Sequence, residues 1–111
     1  ETTYTKLLHN TDLASHLVIA VMKRGENPKI PQLEEVAAAS AAIQNLLLGA
    51  QALGISTLWS TGGLTHSHIL KEHLQLGADD IVMGLIFLGY TDEPVKDGIR
   101  NSQFADKVQW M

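Results

Sequence analysis

The sequence predicts a small α/β or α+β domain that cannot bury itself alone. Three observations carry that expectation. Apolar runs of strand length alternate with helical patterns, in the order strand, helix, strand, helix, strand, tail. The longest helical pattern holds no charged residue between Val36 and Leu53. And 111 residues leave room for only about three strands to set against it.

The opening stretch, Glu1 to Asp12, is polar and weakly patterned, and no element is assigned to it. His16 to Met22 is a short apolar, partly β-branched run and reads as a buried strand. Lys23 to Pro31 is a loop punctuated by Gly25, Asn27, Pro28 and Pro31. The strongest helix follows. Glu34 and Glu35 stand in its first turn, where the positive end of the helix dipole favours them. Val36, Ala39, Ile43, Leu46, Leu47, Ala50 and Leu53 recur at helical spacing, and Gly54 is a natural residue just past the end. A helix apolar nearly all round has to be covered on several sides. Its covering is expected to come from a larger protein or a second subunit.

Ile55 to Trp59 reads as a second strand, with Ser60 to Gly63 as the turn after it. Thr65 or Ser67 is expected to cap a shorter helix that runs to about Leu76 and is closed by Gly77. Ile81 to Leu88 is a third strand, apolar throughout as a central strand would be. Gly84 inside it suggests a group packed tightly on the backbone. From Thr91 to Met111 the chain is an irregular, partly charged tail.

Composition removes several function classes. With 45% hydrophobic and 18% charged residues the chain is globular rather than disordered. A net charge of −4 argues against nucleic acid, which needs clustered Lys and Arg, and against an anionic membrane surface. The longest apolar run is far too short to span a bilayer. The absence of cysteine excludes disulfides and a thiolate nucleophile and fits a reducing compartment; the cytoplasm is the expected location.

His66, His68 and His73 cluster, but the five-residue step from His68 to His73 suits one helical face poorly, and exposed histidines are the expected reading. Ser60 sits between strand and helix as a nucleophile elbow would, with Gly62 in place, yet Leu58 occupies the other position where glycine is needed. Gly84 and Gly89 have phosphate-loop spacing, but Tyr90 stands where lysine is required. No GxGxxG fingerprint is present. Asp79 and Asp80 read as a solvated turn before a strand. No self-sufficient catalytic constellation remains, which fits a protein whose chemistry belongs to a cofactor.

The stretch Ala37 to Gly54 combines small residues with Gln44-Asn45-Leu46-Leu47-Leu48 and then Ala50-Gln51-Ala52-Leu53-Gly54. Leu58-Trp59-Ser60-Thr61-Gly62, Ile69 to Leu74, and Ile81 to Tyr90 follow in order. This series resembles the nitroreductase family, most closely its small NAD(P)H nitroreductases, from about Leu13 to Pro94. The resemblance implies an α+β, three-layer α/β/α fold, here an incomplete portion with about three strands and two helices plus a tail. It implies a homodimeric oxidoreductase with FMN at the subunit interface. NADH or NADPH would be the donor and a nitroaromatic, quinone or related small molecule the acceptor, by a ping-pong route. It places Trp59, Ser60, Thr61 and Gly62 beside the isoalloxazine ring, Gly49 to Gly54 near the nicotinamide, and Lys96 and Arg100 on the FMN phosphate. No catalytic acid, base or metal ligand is expected in this chain.

One departure is large. The family's Arg-rich opening segment has no counterpart here, and the chain begins at Glu1 rather than Met. Residues 1–111 are therefore expected to be the C-terminal part of one domain, without its N-terminal FMN-phosphate segment, and on their own to hold FMN weakly or not at all and to be inactive. The competing expectations are a flavin-free binding module on the same scaffold and a small structural domain alike in helix composition only.

Overall fold

The computed structural model describes residues 3–94 and 96–111. Three α-helices and three strands follow one another as α1 (Thr3–Leu13), β1 (His16–Met22), α2 (Gln32–Ala52), β2 (Ser56–Ser60), α3 (His68–His73) and β3 (Ile81–Gly89), with short 3-10 turns at Gly63–His66 and Phe104–Lys107. The sheet order is β1-β3-β2, and β3 runs antiparallel to both neighbours. The continuous apolar run of β3 is thus that of a central strand. Val82, Leu85, Ile86 and Phe87 are buried on it, and Ile86 is fully enclosed.

The long helix forms where the pattern put it. Glu34 and Glu35 lie in the first turn, Pro31 precedes the helix in an extended conformation, and Gly54 follows it with φ +74°, a value only glycine adopts freely. Residues Ala39, Ala42, Ile43 and Leu46 of α2 face Val18, Ala20 and Ile86 of the sheet.

Four expectations are corrected. The opening segment is helical, so α1 adds a helix to the two expected. The second helix does not run to Leu76; it stops at His73, and the residue that takes positive φ after it is Gln75 (54°), not Gly77. Neither candidate cap serves α3: Ser67 sits at its start without a side-chain cap bond, and the hydroxyl of Thr65 is bonded elsewhere. Asp80 is not a solvated turn residue. It is buried, and its carboxylate accepts the Arg24 N–H at 2.8 Å and the Gly77 N–H at 2.7 Å.

Those bonds tie the loop after β1 to the turn before β3. The Arg24 guanidinium pairs with Glu35 at the start of α2 and donates to the Ile30 carbonyl at 2.8 Å, while the Gly25 N–H donates to Glu35 at 2.9 Å. The Arg24 side chain is the main influence lowering the Glu35 pKa, with the Gly25 N–H helping and burial opposing. For Asp80 the two backbone N–H donors, Arg24 first, lower the pKa against burial.

Much apolar surface stays open. The accessible surface is 9010 Å², where a compact chain of 12.1 kDa would expose about 6,000 Å². The radius of gyration is 17.0 Å, against about 13 Å for a compact domain of this size. On α2 only Ile43 and Ala50 are buried, and Leu48 is 58% exposed. The tail adds Ile99, Phe104 and Trp110, all exposed.

Candidate flavin-binding loop

β1 and β2 end, and β3 begins, at the same edge of the sheet, because Met22 pairs with Ile81 and Ser60 with Leu85. The loop Thr61-Gly62 leaves from that edge. What holds it is visible in three places.

Trp59 pairs with Ile86 across the ladder, and its indole Nε1 donates to the Met83 carbonyl at 3.0 Å. The register of β1 against β3 slips by one between Ala20 and Val21, opposite Gly84 and Val82, so Met83 is the extra residue of a bulge. The indole crosses Gly84, and a Cβ there would fall on the indole Nε1 and Cδ1 and 3.0 Å from the Ser60 carbonyl. The close packing expected at Gly84 is Trp59 itself. Its N–H is therefore engaged within the protein, and what Trp59 offers a ligand is ring surface.

Beyond the strand, Gly62 has φ −74° and ψ 167°, ordinary extended values open to any residue. A Cβ on Gly62 would meet nothing within 4 Å, so one side of the loop is open. Thr65, buried at 5% exposure, closes the inner side. Its hydroxyl lies 3.0 Å from the Thr61 carbonyl and 3.2 Å from that of Gly62. The sequence offered Thr65 only as a helix cap, and nothing local in it signals these two carbonyl contacts.

Lys96 and Arg100 are not brought to this loop. β3 carries the chain to the opposite edge of the sheet before the tail begins. Lys96 is paired with Glu93 at 3.5 Å on the surface, and Arg100 lines a hollow with Ser102, Gln103, Phe104 and Lys107 that contains none of residues 59–62. The distance is not prohibitive. From the level of Gly84 to Gly89 is about 17 Å of strand, and the stretch from Gly89 to Lys96, fully extended, spans up to about 23 Å.

Among the described residues no group of three His, Cys, Asp or Glu could hold a metal ion, and no helix is long and apolar enough to cross a membrane. Two apolar hollows lie away from this loop. One is between α2 and the sheet; the other is lined by Leu13, Leu58, Phe87 and Tyr90.

Comparison with known proteins decides the family. The profile of the nitroreductase family matches residues 4–90. The chain belongs to the nitroreductase family. "Putative NAD(P)H nitroreductase YdjA" of Escherichia coli (strain K12) is 31% identical over 81 residues, covering 72% of this chain and 44% of that protein. The chain thus spans about half the length of the curated relatives it matches. A nitroreductase-like family protein from Bacillus cereus superimposes with a TM-score of 0.77 at 24% identity, over 100% of this chain and 62% of that one. An FMN-dependent nitroreductase from Clostridium difficile R20291 gives 0.62 at 20% identity, over 87% and 57%. These two show the nitroreductase-like α+β fold.

Proposed function

We propose that this nitroreductase chain is the C-terminal part of an FMN-dependent oxidoreductase domain, which moves electrons from NADH or NADPH to a nitroaromatic, quinone or related acceptor. The observation that carries the reading is the loop at residues 59–62. It presents a bare glycine with open space beside it, next to a tryptophan whose polar edge is already occupied. A flat heteroaromatic ring needs that combination: close backbone approach on one side and apolar surface on the other. The open side of Gly62 leaves room for a ring to approach the main chain there, which supports the reading.

FMN, when bound, supplies the redox chemistry, accepting a hydride from the nicotinamide and giving electrons to the acceptor. The chain's own residues have narrower tasks. Trp59 offers ring surface. Ser60, Thr61 and Gly62 bring main-chain groups to the flavin edge. Lys96 and Arg100, with the tail folded back along the sheet, meet the phosphate, Arg100 in bidentate geometry. The exposed Lys96–Glu93 pair is weak and yields readily to a phosphate. Donor and acceptor use the same face in turn, which gives ping-pong kinetics. Residues 1–111 alone would hold FMN weakly.

The homodimer belongs to this proposal. The uncharged outer face of α2, on which Leu48 is exposed, is the surface a second subunit would cover. A reducing compartment, the cytoplasm, suits such an enzyme. Titration of the full-length protein with FMN tests the reading: a perturbed flavin spectrum and quenched flavin emission are expected. A folded full-length protein that leaves the flavin spectrum unchanged would establish a flavin-free module instead.

A further inference from the structure

Thr65 lies inside the loop, away from the open side of Gly62, and its hydroxyl proton has two carbonyl oxygens within reach. The two are not equivalent. The Gly62 carbonyl also accepts the Thr65 main-chain N–H at 3.0 Å. The Thr61 carbonyl has, among the described residues, only the Thr65 hydroxyl. That hydroxyl therefore decides which way the peptide plane between Thr61 and Gly62 faces.

The consequence follows from peptide geometry. The described chain contains no cis peptide bond, and in a trans peptide the C=O and the following N–H point in opposite directions. With the Thr61 carbonyl turned inward to Thr65, the Gly62 N–H is turned outward. Among the described residues it donates to nothing, and the space beside Gly62 is open. Glycine at 62 also makes the alternative accessible. Flipping this peptide would send φ of residue 62 toward positive values, which glycine tolerates and other residues resist.

We propose that Thr65 is a positioning residue for the cofactor loop, holding the Thr61–Gly62 peptide so that the Gly62 N–H faces the flavin. This rests on the FMN reading above. Thr65 touches neither flavin nor substrate; its whole effect passes through the orientation of one main-chain donor. A free N–H aimed at the ring edge before binding avoids the ordering cost of a loop that has to turn.

The test compares Thr65→Val, which keeps the shape and removes the donor, with Thr65→Ser, which keeps the donor. Two readouts are taken on the full-length protein. The first needs no flavin: the Gly62 amide resonance is followed by NMR in the apoprotein. Thr65→Val is expected to shift or broaden it, and Thr65→Ser to leave it near wild type. The second is FMN affinity and reduction potential. Loss of one main-chain hydrogen bond should weaken binding about tenfold and shift the potential, with Thr65→Ser close to wild type in both. A folded Thr65→Val protein with an unmoved Gly62 amide and unchanged FMN affinity would overturn the positioning role while leaving the FMN reading intact. Wild-type protein that binds no FMN would overturn both. Should Thr65→Val fail to fold, Thr65→Ser decides: wild-type amide position, affinity and potential support the role, and an altered set overturns it.

Discussion

Replacing Gly84 by alanine probes the device that anchors the candidate loop. The added Cβ falls on the indole of Trp59 on one side and 3.0 Å from the Ser60 carbonyl on the other. The carbonyl belongs to the paired strand and cannot retreat without breaking the ladder. The indole has to move, and its bond to the Met83 carbonyl goes with it. The φ of +157° at residue 84 adds backbone strain for any side chain. Overpacking of this kind costs about 1–3 kcal/mol, and the lost hydrogen bond about 1 kcal/mol more. The expected loss is about 2–4 kcal/mol, a large share of a typical domain's stability. Urea unfolding at fixed protein concentration, followed by circular dichroism, measures it. The Trp59→Ala background supplies the control. With the indole gone the new methyl has room, so Gly84→Ala should there cost about half as much or less. A Gly84→Ala loss within about 0.5 kcal/mol, or an equal loss in both backgrounds, would refute the reasoning.

Other outcomes follow from the same geometry. Gly62→Val should fold with near-normal stability, because its backbone is ordinary and its surroundings are open, yet bind FMN more weakly by about tenfold or more; unchanged affinity would remove Gly62 from the contacts. Arg100→Ala and Lys96→Ala should weaken FMN by a similar factor while leaving riboflavin, which lacks the phosphate, unaffected; equal loss for both ligands would show that the tail acts on something else. Glu35 and Asp80 have pKa values lowered in the folded state. The stability they contribute is present above the unfolded carboxylate range and is lost as pH falls through their lowered folded values. Asp80→Asn should flatten that acid limb in a melting-temperature profile, and an unchanged limb would count against it. Leu48→Glu, on the exposed uncharged face of α2, should dissociate the homodimer in light scattering; a wild-type protein that is already a soluble monomer would dispose of the interface.

Periodicity and dipole logic made α2 legible, down to its acidic first turn and the glycine after it. β3 was legible as a central strand because every position carries an apolar or small residue. Gly84 announced a close neighbour but not its identity. That neighbour, Trp59, is set by strand order and register, which are long-range facts with no local signature. α1 was missed because it has neither an acidic first turn nor a basic last turn to mark its ends. The second helix was drawn too long because Gly77 looked like its terminator. In the fold Gly77 instead donates its N–H to buried Asp80, and the chain turns earlier, at Gln75. Thr65 read as a helix cap by position, and its role emerged only from the carbonyls it faces. Residues 59–62 rest on resemblance, and the structure adds what holds that loop in place. Lys96 and Arg100 rested on resemblance alone, and the sheet sends their segment away from the loop before any return.

The central claim is that this nitroreductase domain passes electrons through a flavin held at residues 59–62. Its most direct test is the reductive half-reaction of the full-length, FMN-loaded protein in a stopped-flow spectrometer without oxygen. The account predicts that NADH or NADPH bleaches the oxidised flavin absorption in a single turnover, and that a nitroaromatic or quinone then restores it. A flavin-loaded protein left unbleached by both nicotinamides would contradict it.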